Sequence, residues 1–191
     1  MKLRNTFIYL IGIPAVGKYT TAKAIAKMTG AKVIDSQLIN NPIFTILGLD
    51  GTGNIAVPPE GWKQIAKIRR IVLSFIETEA DADSSFVFTN VLADKPGDRA
   101  LFRRIERIAK KRKGIFVPVW LTCEPAEIRK RKANPDRRER FKETDPKRTR
   151  YWIEEFDGFK TAHPKGLTLD TTRSKPAETA KKILAHVASV R

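Results

Sequence analysis

Thr6-Phe7-Ile8-Tyr9-Leu10-Ile11-Gly12-Ile13-Pro14-Ala15-Val16-Gly17-Lys18-Tyr19-Thr20 is the stretch that decides the fold. Six residues dominated by Phe, Ile, Tyr and Leu run directly into a pair of glycines, Gly12 and Gly17, and then a lysine. Unbroken hydrophobicity, without the alternation of a half-exposed strand, marks a strand buried on both faces, as in a parallel sheet. The glycines let the backbone curl so that successive N–H groups point inward at an anion. A helix starts there, with Ala22, Ile25 and Ala26 on one face and Gly30 as its stop. Its first N–H groups and its dipole favour negative charge at that end. Lys18 adds an ammonium that can follow the outer phosphates of a nucleotide. Gly12, Ile13, Pro14, Ala15, Val16, Gly17, Lys18, Tyr19 and Thr20 are therefore read as the binding loop for a nucleoside triphosphate, ATP.

Strands and helices alternate along the rest of the chain, which predicts one doubly wound α/β domain over residues 1–191 with a mostly parallel five-stranded sheet. A short second strand, Lys32 to Ile34, ends at Asp35. Ser36 to Gly61 is the least regular stretch, its loops signalled by Gly48, Gly51, Gly53 and the pair Pro58-Pro59. Ile65, Ile68, Val72, Phe75 and Ile76 repeat at helical spacing between Trp62 and Ala80. Phe86 to Thr89 reads as a third strand, and Asp98 as the cap of a helix reaching Lys113. Ile115 to Leu121 is a fourth strand, followed by a short helix, Ala126 to Lys132, that runs into a basic stretch. Tyr151, Trp152, Ile153 and Phe156 are expected to pack a further helix against the body. Leu167 to Leu169 and Pro176 to Val190 complete the pattern as a fifth strand and a terminal helix.

Composition bounds the function. Lys and Arg number 37 against 21 Asp and Glu, a formal charge of +16. Much of the excess lies between Arg103 and Arg150, and such a field attracts phosphates, whether of a nucleotide, a nucleic acid or a metabolite. The single cysteine, Cys123, excludes an internal disulfide and fits a reducing cytoplasm. No apolar run near the N-terminus is long enough to span a bilayer. His163 and His186 stand at no catalytic spacing from a partner and read as structural or solvated.

The loop departs from the commonest phosphate-binding pattern at one place. Tyr19 occupies the position after the lysine where a Ser or Thr usually holds magnesium, and the hydroxyl arrives one residue later at Thr20. In this, Gly12, Pro14, Gly17, Lys18 and Thr20 resemble adenylate kinase and the other nucleoside-monophosphate kinases of the P-loop superfamily. Beyond the loop the chain is similar to the shikimate kinase and gluconate kinase branch, and to small bacterial kinases that begin Gly-x-Pro-Ala-x-Gly-Lys. In that branch the second strand ends in an Asp-x-Asp pair. Here Asp35 matches the first acid, whereas Gln37 replaces the second, and Thr89-Asn90-Val91-Leu92-Ala93-Asp94 replaces the glycine-rich substrate motif. The resemblance implies that Asp35 lies near Mg²⁺ and the acceptor hydroxyl; the alternative for it is a helix cap. It implies Thr20 and Asp35 as the metal-proximal residues.

The resemblance also places a lid over residues 126–150. It implies that Arg131, at the end of the short helix, stacks on adenine, and that Arg137, Arg138 and Arg140 reach the phosphates. Planar, permanently charged guanidinium groups suit both tasks. The alternative is a solvated charged helix paired by Glu127, Glu139 and Glu143. Arg173, after the fifth strand, resembles an arginine that borders adenine. Lys18, Asp35, Arg131 and Arg138 are thus the expected catalytic set. The leading expectation is an ATP- and Mg²⁺-dependent kinase acting on a hydroxyl or phosphate of a small metabolite or nucleotide. Its acceptor would sit between the 36–62 region and the loop from Asn90 to Arg99. Two other readings stand beside it. One is a nucleic-acid-directed kinase or ATPase, suggested by runs such as Lys110-Lys111-Arg112-Lys113; the other is a non-catalytic nucleotide-binding module in which Tyr19 marks a lost metal site.

Overall fold

In the computed structural model, which describes residues 2–49, 55–134, 142 and 144–191, strand β1 (Thr6–Ile11) is the axis of the molecule. It pairs in parallel with β3 (Phe86–Asn90) on one side and β4 (Ile115–Thr122) on the other. Strand β2 (Lys32–Asp35) lies outside β3, and β5 (Leu167–Asp170) outside β4, giving a five-stranded parallel sheet in the order β2-β3-β1-β4-β5. All six residues of β1 are buried, as its unbroken apolar run requires.

The period of two along β1 sorts two chemically different cores. Ile8 and Leu10 face an aliphatic layer under α1 (Lys18–Thr29) and α7 (Pro176–Ser189), where Ile25, Val117, Val119 and Ile183 are buried. Phe7, Tyr9 and Ile11 face the other layer, beneath α3 (Pro59–Thr78) and α4 (Pro96–Lys111). That layer is aromatic: Tyr9 stacks on Phe102 at 6.0 Å, and Phe102 meets Phe116 edge-on at 5.4 Å. The Tyr9 hydroxyl donates to Asn90 Oδ1 at 3.1 Å, and burial raises its pKa far above the ordinary phenol value.

Several expected elements differ in detail. The irregular stretch after Asp35 contains a helix, α2 (Ser36–Ile46), in spite of Pro42 within it. Ile39 and Phe44 repay that interruption by packing with Ile65 of α3 in a small third core. Asp98 does not cap α4. Lys95 holds the cap position, Pro96 begins the helix, and the Asp98 carboxylate turns back to accept the N–H of Ala93 at 2.8 Å. Tyr151, Trp152 and Phe156 do not enter the core. After the short α5 (Pro125–Lys132) and α6 (Pro146–Arg150), a single π-helical turn, Tyr151–Glu155, leaves the three rings packed on one another, with centroids 4.7–6.2 Å apart. Ile153 alone of the four packs onto the aliphatic core.

Part of the basic run at the end of α4 is spent on structure. Arg112 donates to the carbonyls of Ile76, Ala80 and Asp81, and Lys111 pairs with Glu77 at 3.1 Å. Glu77 also accepts from Arg104, so its nearly buried carboxylate fastens α3 to α4. Hydrogen bonding from Lys111, with the charges of both bases, holds the Glu77 carboxyl below its ordinary range. Because the folded pKa is the lower one, this stabilisation is complete above the unfolded value and is lost as pH falls through the folded value. Glu77→Gln should therefore flatten the acid-side decline in unfolding free energy below about pH 4.5, by roughly 1 kcal/mol or less given the exposed basic partners. Urea titrations of both proteins at intervals down to about pH 3 test this; parallel curves would refute it.

Candidate active site

The loop after β1 is shaped by contacts that leave little choice of residue. A side-chain carbon on Gly12 would lie 2.5 Å from the carbonyl oxygen of Leu121 and 2.9 Å from Val16 Cγ2, so only glycine fits. Ala15 and Gly17 have φ of 72° and 88°, the left-handed region that turns successive peptides the same way. The loop's carbonyls are then tied off one by one. Lys18 Nζ donates to Gly12 O at 2.7 Å and to Ile13 O at 2.8 Å. The Thr171 hydroxyl lies 2.9 Å from Val16 O, and Gly17 O accepts from Thr20 Oγ1 and from the N–H of Thr21. Among the described residues, no backbone N–H from Ile13 to Gly17 donates to protein. A concave set of N–H groups at the start of a helix is thereby kept for a ligand.

Asp35 faces this loop from the end of β2. It stands at the cap position of α2, yet its carboxylate makes no capping hydrogen bond. Instead the register that sets Asp35 beside Thr89 brings Thr89 Oγ1 within 2.5 Å, where it donates to Asp35 Oδ1. The cap alternative therefore does not describe what this side chain does. Asp35 is 4% exposed, and that remnant opens on a cleft of about 1550 Å³ beyond the carboxyl ends of the strands. Strand order reverses between β1 and β3, the place where open α/β sheets bind ligands.

One end of the cleft is lined by Pro14, Ala15, Gly17, Lys18, Tyr19 and Thr20; Gly12, Ile13 and Val16 form the loop's support behind them. Phe44 and Trp62, which meet edge-on at 6.0 Å, also line the cleft, as do Tyr151, Trp152 and Phe156. Val91, Ala93 and Lys95 border it, so the two segments expected to flank an acceptor do share one cavity. Its volume exceeds the upper range for a single small-molecule pocket, leaving room for two ligands. Among the described lining residues, seven are basic and three acidic, which suits anions.

No family model matches the chain, and no curated protein matches it in sequence. Solved structures do match its shape. A sugar kinase from Janibacter sp. HTCC2649 is 17% identical with a TM-score of 0.59, the match covering 96% of this chain and 94% of that one. A gluconokinase from Sinorhizobium meliloti 1021 is 16% identical over 99% and 95%, with a TM-score of 0.56. Shikimate kinase from Acinetobacter baumannii, in complex with shikimate, is 17% identical over 99% and 95%, with a TM-score of 0.53. The fold is that of the small P-loop kinases.

Within this P-loop kinase fold the arginines divide. Arg131 lines the cleft with its edges engaged: Nε bonds to Glu127 at 2.8 Å, Nη1 to Thr171 Oγ1 at 3.1 Å, and Nη2 to the Thr171 and Thr172 carbonyls. It thus combines the pairing expected of a charged helix with a place at the loop, 3.8 Å from where a Gly17 side chain would begin. Arg173 is exposed and does not line the cleft; its neighbours Thr171 and Ser174 do. Arg137, Arg138 and Arg140 lie outside the described residues, as do Glu139 and Glu143. His163 pairs with Glu106 at 3.3 Å, and His186 meets the Lys165 carbonyl, both away from the cleft.

Two residues define what a metal would find. Thr20 is exposed beside the loop, its Oγ1 donating to Gly17 O at 2.9 Å, and Asp35 is the buried carboxylate opposite. Among the described residues no group of three or more His, Cys, Asp or Glu side chains could hold an ion alone. One carboxylate and one hydroxyl fit magnesium, which keeps waters and takes further oxygens from phosphate. Tyr19 has a different role: its ring lies under Lys142 at 4.7 Å and Lys23 at 5.6 Å, linking α1 to the basic segment. Sequence reasoning passed over Thr89, Thr171 and Arg69. Only the register next to Asp35 could have signalled the first of them.

Thr171 supplies the sharpest test of this geometry. Its backbone N–H donates to Thr122 O at 2.9 Å while its hydroxyl serves Val16 O, so it ties the loop to the ends of β4 and β5 at once. Thr171→Val keeps the shape and leaves the buried Val16 carbonyl unpartnered, which should cost about 1–3 kcal/mol of stability. Affinity for ATP, measured by calorimetry, should fall by about 10-fold as the loop loses its support. Unchanged affinity would show that the loop holds its form without Thr171.

Proposed function

We propose that the protein is an ATP-dependent phosphotransferase that moves the γ-phosphoryl group of ATP to a hydroxyl or phosphate oxygen of a small metabolite or nucleotide. The observation that carries this reading is the loop whose carbonyls are tied back and whose N–H groups are free, set across one cleft from a buried carboxylate. The first feature binds a polyphosphate, and the second is what an attacking hydroxyl needs beside it. The kinases of similar fold add support at the level of architecture.

On this reading the loop N–H groups and Lys18 hold the β- and γ-phosphates, and Lys18 exchanges its carbonyl partners for phosphate oxygens as the nucleotide enters. The faces of the Arg131 guanidinium are what it offers adenine, since its edges are occupied. Asp35, oriented by Thr89, accepts the proton of the acceptor hydroxyl as its oxygen attacks the γ-phosphorus. A new P–O bond forms, the bond from the γ-phosphorus to the bridging oxygen breaks, and ADP leaves with that electron pair. Thr20 and Asp35 would hold magnesium, which would supply neutralisation of the charge on the transferring group.

Label transfer tests the whole reading. With γ-labelled ATP, magnesium and a mixed pool of metabolites, nucleoside monophosphates and RNA, label should appear in a small product. Label found on RNA would instead establish a nucleic-acid-directed enzyme, and ATP binding without magnesium dependence or turnover a non-catalytic module. Lys18→Ala should abolish transfer in a protein that still folds. Asp35→Asn should bind ATP normally and turn over about 10²- to 10⁴-fold more slowly. Full turnover by the Asp35 variant would reduce that carboxylate to a structural part of the β2–β3 pair.

A further inference from the structure

The bases between Arg99 and Lys113 divide into those that build the protein and those that do not. Arg104 and Lys111 are paired with Glu77, Arg112 holds three carbonyls, and Arg99 makes two hydrogen bonds to Asp94. Arg103, Arg107, Lys110 and Lys113 are exposed, and among the described residues none of their side chains has a hydrogen-bond or ion-pair partner. Arg103, Arg107 and Lys110 follow one another at i, i+4 and i, i+3 spacing, which sets them on one face of α4, with Arg99 four residues earlier. All the exposed charged residues of α4 are basic. Its acids are engaged: Asp98 accepts the Ala93 N–H, and Glu106 pairs with His163. The outer faces of α3 and α7 instead mix both signs, Glu60 with Lys63 and Glu178 with Lys181 and Lys182. Like charges three and four residues apart oppose a helix. The dipole offsets this for Lys110 in the last turn, but Arg103 and Arg107 stand before that turn. A repulsive row kept at the surface is one that a polyanion would stabilise.

The row fits one class of polyanion. From Arg99 to Lys111 it runs about 18 Å along the helix, a length over which a nucleic-acid duplex presents on the order of ten phosphates. The guanidinium fork of Arg103 and Arg107 matches phosphate oxygens with paired donors. Among the described residues, none of the exposed large hydrophobic side chains belongs to α4. A helix that lies on a membrane uses such side chains to enter the lipid, and a protein partner uses them as a central anchor. A single strand stacks its bases on aromatic rings. A duplex held by its backbone uses none of these. We infer that the exposed face of α4 docks the sugar–phosphate backbone of a double-stranded nucleic acid, through Arg103, Arg107, Lys110 and Lys113 and without reading its sequence. These residues line no part of the cleft beside the P-loop, so the surface is separate from nucleotide binding. It goes beyond the phosphotransferase reading and does not depend on it.

Fluorescence anisotropy of a labelled DNA duplex of about 20 base pairs, titrated with the full chain at about 50 to 200 mM salt, tests this. Affinity should fall with salt along a log–log slope of about −3 to −4, as about four phosphate contacts require. Combining Arg103→Gln, Arg107→Gln and Lys110→Gln should weaken binding by about 10- to 100-fold and flatten the slope by about 2 to 3. A control combining Lys27→Gln, Lys181→Gln and Lys182→Gln removes the same charge from α1 and α7, across the sheet from α4. It should lose less than about 3-fold. Both proteins should unfold at the wild-type temperature and bind ATP as the wild type does, which separates this surface from the fold and from the P-loop. Equal losses in the two combined variants would reduce the effect to net charge and overturn the inference. So would a lack of duplex binding at the lowest salt, or tighter binding to a single strand or to phosphatidylserine–phosphatidylcholine vesicles than to the duplex.

Discussion

The site depends on keeping a handful of backbone N–H groups unpaired while the carbonyls of Gly12, Ile13, Val16 and Gly17 are satisfied. A curled loop would ordinarily collapse onto itself, because its own carbonyls are the nearest acceptors. Here they are claimed beforehand by the Lys18 ammonium, by the Thr20 hydroxyl and the helix, and by Thr171 from the far side of the sheet. The same demand explains the neighbours. Gly12 must lack a side chain because Leu121 of β4 presses against it, and Arg131 must be pinned by its edges because it braces Thr171. The support of the loop is thus distributed over β1, β4, β5 and α5.

The opposite half of the cleft is built on other elements. Asp35 comes from β2, Thr89 and Asn90 from β3, Arg69 and Trp62 from α3, and Phe44 from α2. The reversal of strand order between β1 and β3 is what brings the two halves together. The two halves can therefore vary separately, one through α2 and α3 and the other through the loop after β1. The sugar kinase, the gluconokinase and the shikimate kinase share this fold with the chain at identities below one fifth, so shape is kept while sequence diverges.

How much of this was legible in the sequence follows from how local each signal is. The loop and the buried strand before it could be read because spacing, glycine and hydrophobic run all lie within fifteen residues. Helix α2 could not: Pro42 and the Asn40-Asn41 pair oppose it locally, and only packing on Ile65 makes it stable. Asp35 was legible by its place at a strand end, but its partner Thr89 is 54 residues away and appears only through register. Arg173 was favoured over Thr171 because a charge suggests a ligand, whereas the hydroxyl acts through carbonyls that sequence cannot place. Arg69 was hidden by its own helix, where a basic residue beside Arg70 reads as solvated surface.

The hydrogen bond from Thr171 to Val16 spans 155 positions of the chain, and this has a consequence for biosynthesis. The loop leaves the ribosome well before β5, yet it can take its final form only when β5 has been synthesised and docked. Until then Val16 O, Thr122 and Arg131 lack their common partner, and a nascent chain carries the glycine-rich segment without a finished nest. Long-range closure of this kind slows folding. An incomplete chain therefore carries an unfinished nest, whose final form waits on β5.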